Sequence, residues 1–134
     1  TRERVGKQNS PAMCAGCHKM INSLGFALEE FDAVGRYRET EKDKQIDVSG
    51  HYRLRTGETA EFNGANELAG FLVQSQETHR SFARQLFHHM VQQPILAFGP
   101  QSIDELAQFF ADHQLSMKKL MVEIACRAAE HEQP

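Results

Sequence analysis

The stretch Cys14-Ala15-Gly16-Cys17-His18-Lys19-Met20-Ile21-Asn22-Ser23-Leu24-Gly25-Phe26 decides the reading of this chain, and its first five residues carry the chemistry. C-x-x-C-H is the attachment signature of a c-type haem. Two thiols three apart add across the two vinyl groups of a porphyrin, and the histidine that follows reaches the iron as proximal ligand. The pattern requires a helix, because only there do Cys14, Cys17 and His18 share one face at spacings of three and four. Ser10 ahead of Pro11 supplies the expected start, a cap followed by a first-turn proline. The expected cofactor is one covalent haem c, with Cys14 and Cys17 as its anchors and His18 on the metal.

Three other uses of such a motif compete. A thioredoxin-like redox pair needs a βαβ context that is missing here. A zinc site needs two further ligands. His88 and His89 are adjacent, so on a helix their side chains diverge by about 100° and make a poor chelating pair. A chance match of five residues is the third.

Outward from the motif, Leu24-Gly25-Phe26 is expected to break the first helix. A second is expected over Phe26–Val34, stopped by Gly35. The segment from Arg36 to Phe62 changes character, with Ser49-Gly50 and Thr56-Gly57 as turn signals. Ile46–Val48, His51–Leu54 and Ala60–Phe62 read as a small two- or three-stranded insert. Helical periodicity then returns. Asn66 is placed to cap Glu67–Val73, and Thr78 to cap a helix running to Gln93 before Pro94. Ser102-Ile103-Asp104-Glu105 reads as a capping box, and Ser116 as the cap of a last helix. The expected fold is mainly α, a cytochrome c-like helical domain around one haem with a small β-hairpin insert. Its expected organisation is a single domain over 1–134. Residues 1–38 would attach the haem, about 39–63 form the insert, and 64–134 close the domain with helices.

An electron-transfer haem usually takes Met or a second His opposite the proximal His. On the helix over 79–93, Phe82, Ala83, Leu86, Phe87, Met90 and Val91 form one apolar face, with Met90 near its centre. Met90 is therefore the expected distal ligand, set against the ordinary role of a methionine filling core. His89, on the border of that face, is the alternative; His79 follows, then Met117 and Met121. Phe26, Phe31 and Tyr37 are expected to wall the haem crevice, and Arg38 or Arg36 to pair with a propionate. Glu29, Glu30 and Asp32 read as a solvated face rather than as acid/base catalysts.

Composition bounds the rest. The chain has 134 residues, a formal charge of −3, nine Phe and no Trp. Lys and Arg form no basic stripe interleaved with aromatics, so nucleic-acid binding is disfavoured. No apolar run approaches the ~18 residues of a membrane span. The chain starts at Thr1 without an initiator Met, which suits a processed protein or a piece of a longer one. Haem c attachment outside the bacterial cytoplasm sets the expected location as periplasmic or extracellular. Cys126 is expected to be a free, buried thiol.

The run CAGCHKMINSLGFALEEFDAVGRYR resembles the C-terminal haem-c region of large secreted multidomain c-type cytochromes. These are abundant in planctomycetes and occur in marine polysaccharide degraders, as domains of unknown function. The shared pattern falls on Cys14, Cys17, His18, Gly25, Phe26, Ala27, Leu28, Glu29, Phe31, Asp32, Gly35 and Arg38. Ile46–Gly50, Phe62-Asn63-Gly64, Phe82–Gly99 and Leu120–Ile124 resemble later elements of those proteins. Many relatives carry Met-Asp-Pro-Leu-Gly where this chain has Ile21-Asn22-Ser23-Leu24-Gly25, so roles tied to that Met or Pro do not transfer. The resemblance implies a covalent haem in a multidomain extracellular protein, with other redox domains or proteins as partners and carbohydrate-binding modules in some parent chains.

Two functions from different classes follow. One is a mono-haem electron-transfer domain with both axial sites filled by protein and no catalysis of its own. The other is a haem enzyme or small-molecule-binding domain with an open, peroxidase-like distal site, which would need His89 or His79 as distal acid/base. A structural spacer in a larger redox protein is a third role. The lack of any distal-pocket motif favours electron transfer.

Overall fold

The computed structural model describes residues 1–131 and has the mainly α architecture with a small β insert that the sequence leads one to expect. The chain divides into two compact units, Thr1–Leu72 and the remainder from Val73 onward. Each is described by itself.

The first unit begins with a helix where none was expected, α1 over Arg2–Gln8, supported by a Glu3–Lys7 pair one turn apart at 2.7 Å. Helix α2, Ala12–Phe26, carries the motif. Its first residue is preceded by Pro11 in the cap position, and the carbonyl of Pro11 accepts the N–H of Cys14 and of Ala15. Ser10 is occupied elsewhere, its hydroxyl donating to the Lys7 carbonyl at 2.9 Å. Nor does Leu24-Gly25 break the helix, which runs through to Phe26.

The second helix expected over Phe26–Val34 does not form. Tight turns occupy residues 27–30, and Phe31 pairs with Tyr37 across a short loop. The loop is held by Asp32, whose Oδ1 accepts the N–H groups of both Val34 and Arg36 at 2.9 Å. An aspartate that satisfies two backbone donors locally outcompetes the helical pattern. Gly35, at φ 79°, turns the chain where a side chain would be strained.

Two antiparallel pairs make up the insert. Strands β1 (Thr40–Glu41) and β2 (Lys44–Gln45) flank Lys42 and Asp43, both left-handed. Strands β3 (Ser49–Arg53) and β4 (Thr59–Asn63) pair in the register Ser49↔Asn63 to Arg53↔Thr59. Ile46–Val48, expected as a strand, instead connects the two hairpins. Helix α3, Ala65–Gln74, starts directly after Gly64 rather than behind an Asn66 cap. The core of this unit is Ala27, Phe62 and Leu68, flanked by Leu24, Tyr52 and Phe71.

In the second unit α4 spans Gln76–Val91. Its cap is Ser75, whose Oγ accepts the Thr78 N–H at 3.3 Å, in place of the expected Thr78. A 3-10 turn over Ile95–Phe98 leads to α5 (Ser102–Asp112) and α6 (Met117–His131). The capping box at Ser102 is not made, because its hydroxyl donates to the Phe98 carbonyl at 2.6 Å and Glu105 pairs with Arg127 at 2.6 Å. Ser116 does serve the start of α6, accepting the Lys119 N–H at 3.5 Å. Phe87, Leu106, Leu120 and Ile124 are fully buried at the centre of this unit. Cys126 lies exposed on the outer side of α6, contrary to the buried thiol expected.

Candidate functional site

Helix α2 has two unlike sides. At about 100° per residue, Cys14, Cys17, His18 and Ile21 fall within an arc of about 100°, while Ser23 and Phe26 project from the far side. The far side is packed. Ser23 is buried, its Oγ accepts the backbone N–H of His51 in β3 at 2.8 Å, and it lies 3.1 Å from the His51 Nδ1. Beside it, Gly50 passes so close that a Cβ there would overlap the Ser23 carbonyl and the Phe62 ring. Phe26 lies beneath the Arg2 guanidinium, 4.3 Å from ring centroid to carbon. Arg2 also donates to the carbonyls of Asp47 and Ser49, at 2.8 and 2.5 Å. Arg2, Asn22, Ser23, Phe26 and His51 are among the residues lining a cleft of about 750 Å³ on this side.

The cysteine side is open. Cys14 and Cys17 are exposed free thiols, His18 is half-buried, and Ile21, one turn further, is 57% exposed. His18 Nδ1 lies 3.4 Å from Asn22 Oδ1, and the same oxygen accepts from Asn9 Nδ2 at 3.5 Å. With Nδ1 donating to that oxygen, the lone pair would sit on Nε2, free for a metal. This donor set fits a c-type haem: two reachable thiols, an imidazole with an amide beside its Nδ1, and all three on one helix face. Among the described residues no group of three or more His, Cys, Asp or Glu side chains is arranged to hold a metal ion on protein ligands alone.

Beyond α2, large apolar side chains stand uncovered: Leu28, Phe31 (43% exposed), Val34 (74%) and Tyr37 (59%). Phe31 and Tyr37 meet edge to face, with centroids 6.0 Å apart. The Tyr37 hydroxyl donates to Glu30 at 3.3 Å, and the charge of that carboxylate raises the phenol above its ordinary value. Arg38 sits at the end of this loop, 3.6 Å from Glu41, with a buried Nε that has no partner among the described residues. Phe31 and Arg38 thus flank one loop, whereas Phe26 faces the cleft on the packed side of α2.

Met90 belongs to the second unit, where it is half-buried against the cluster of Ala83, Phe87 and Leu106. His89 is exposed in the last turn of α4. His79 is buried, with Nε2 2.8 Å from the Val73 carbonyl and its ring edge-on to Phe110, which commits it to the core. Met117 and Met121 are exposed on α6.

Asn22, Asn9, Ser23 and Arg2 are site residues that sequence reasoning does not single out. Asn22 has a signal, since it stands four residues after His18 and one helical turn brings the two together. The other three partner residues distant in sequence and carry none.

Residues 1–41 match the model of a family described as PSCyt3, protein of unknown function (DUF1588). The match covers α1, α2 and the following loop, and so includes Cys14, Cys17, His18 and Asn22. No curated protein and no solved structure matches the chain.

Proposed function

We propose that the chain is a mono-haem c-type electron-transfer domain, anchored through Cys14 and Cys17 with His18 as proximal ligand. One observation carries the reading: a helix whose packed side is satisfied by β3 turns two free thiols and a tethered imidazole to solvent. When bound, the haem supplies one-electron exchange between ferrous and ferric iron.

The chain's own residues then have definite tasks. Cys14 and Cys17 fix the macrocycle against α2, and His18 offers Nε2 while Asn22 holds its other nitrogen. Ile21, Phe31 and Tyr37, otherwise wasteful as exposed apolar surface, would shield the cofactor from water and raise its reduction potential. Arg38 is the propionate partner, as a charge-assisted donor. Phe26 contributes through its stacking on Arg2, which ties α1 to Asp47 and to Ser49 of β3. For a second iron ligand the sequence offers Met90, with His89 the alternative. The working context is a larger periplasmic or extracellular protein in which other redox domains or proteins exchange electrons with this one. No helix among the described residues is long and apolar enough to cross a membrane.

Production of the chain in a host with c-type maturation, followed by intact mass and an alkaline pyridine spectrum, tests the reading. The expected product carries one haem through two thioethers. A colourless chain with the mass of the bare polypeptide overturns it. A low-spin ferric spectrum agrees with electron transfer, whereas a high-spin one indicates an open distal site.

A further inference from the structure

We propose that Asn22 is a positioning residue for His18, selecting the imidazole tautomer and setting the donor strength of the iron-binding nitrogen. The inference rests on the haem-c reading for its redox consequence, but its structural half stands on the chain alone.

Asn22 follows His18 by one turn of α2, so its side chain meets the ring from the same helix without help from a loop. Its Oδ1 lies 3.4 Å from His18 Nδ1 and also receives Asn9 Nδ2 at 3.5 Å. With its Oδ1 between Asn9 Nδ2 and His18 Nδ1, the Asn22 amide is in the orientation that takes a proton from the ring's Nδ1. Asn9, at the end of α1, therefore orients the Asn22 amide, and the amide orients the ring. Asn22 also lines the cleft beside β3, so the relay runs from the packed side of α2 to the open one.

The chemistry follows from what Nδ1 donates to. A hydrogen bond from Nδ1 to an amide oxygen pushes electron density onto Nε2 and stabilises the ferric state relative to no bond. A carboxylate acceptor would do so more strongly. Asn22→Leu removes the acceptor, and Asn22→Asp replaces it with a stronger one.

The test has two arms on the full chain. In the haem-free chain, ¹⁵N shifts of His18 report the neutral tautomer: Nδ1–H is expected to dominate in the parent and to lose that dominance in Asn22→Leu. In the matured protein, the reduction potential is expected to rise in Asn22→Leu and to fall in Asn22→Asp, with covalent haem retained by mass in both. Unchanged tautomer populations, or potentials that do not move in opposite directions, overturn the assignment. Failure of the parent to take up haem sinks the functional reading instead, and the tautomer arm still decides the role of Asn22. Should Asn22→Leu not fold, Asn9→Ala keeps the question open to refutation, because freeing the amide is expected to shift the same populations in the same direction.

Discussion

Ser23 and His51 are joined twice: the serine hydroxyl accepts the His51 backbone N–H at 2.8 Å and contacts its ring nitrogen at 3.1 Å. A mid-helix serine that should weaken α2 is instead the bolt between the motif helix and β3. Ser23→Ala strands that N–H and is expected to cost about 1–3 kcal/mol, the penalty of an unsatisfied polar group. Urea unfolding measures it. A loss within about 0.5 kcal/mol, the scatter of neutral surface changes, would deny the contact its role.

Gly50 should be intolerant of any side chain. A methyl there meets the Ser23 carbonyl and the Phe62 ring, so Gly50→Ala must push β3 off α2. Overpacking of this kind costs about 1–3 kcal/mol. Thermal melts read the loss, and Gly57→Ala, with open space around it, would be affected only through its φ of 94°.

The Asp32 loop should loosen in acid. The N–H groups of Arg36 and Val34 stabilise the carboxylate and hold it below its ordinary value of 3.8. A group depressed in the folded state contributes above its unfolded value and loses that contribution as pH falls through the folded one. Protection of the Val34 and Arg36 amides, relative to their intrinsic exchange rates, should therefore hold at neutral pH and be lost only in strong acid. In Asp32→Ala that protection should be absent throughout.

Attachment should depend on both thiols. Cys14→Ala and Cys17→Ala are each expected to give at most a single thioether, seen by mass and by a red-shifted α band of the pyridine complex. His18→Ala should abolish the low-spin spectrum. Efficient double attachment in either cysteine variant would contradict the assignment of the anchors.

Met90→Ala should separate ligation from packing. If the haem takes Met90 as its second ligand, loss of the thioether would convert it to a high-spin or water-ligated form. An unchanged low-spin spectrum leaves Met90 as core filling and moves attention to His89. In either case the cavity in the second unit should be felt, at up to about 2–5 kcal/mol for a fully buried methionine and less for this half-buried one.

The sequence discloses most where spacing alone determines geometry. C-x-x-C-H at a helical period places three side chains on one face of α2, and apolar periodicity locates α3 to α6. It misleads where a short polar side chain has two choices. Ser10, Ser102 and Asp32 each bond locally, to Lys7, to Phe98 and to Val34 with Arg36, and so displace a cap, a capping box and an entire expected helix. The insert is recognisable as β from its turn signals, but its pairing into two hairpins turns on left-handed Lys42 and Asp43, and only the aspartate is a residue type that favours that conformation. The tie between Ser23 and His51 spans 28 positions, and nothing local announces it.

The bifacial character of α2 bears on how such a molecule is assembled. Its inner side is buttressed by the hairpin through Ser23 and His51, and the sulfurs stand on the opposite, open side. Packing and any attachment of haem therefore draw on different faces of one helix. The same exposure carries a hazard on the haem-c reading: in an oxidising compartment, ring closure between the two sulfurs would cap the very atoms a haem would require.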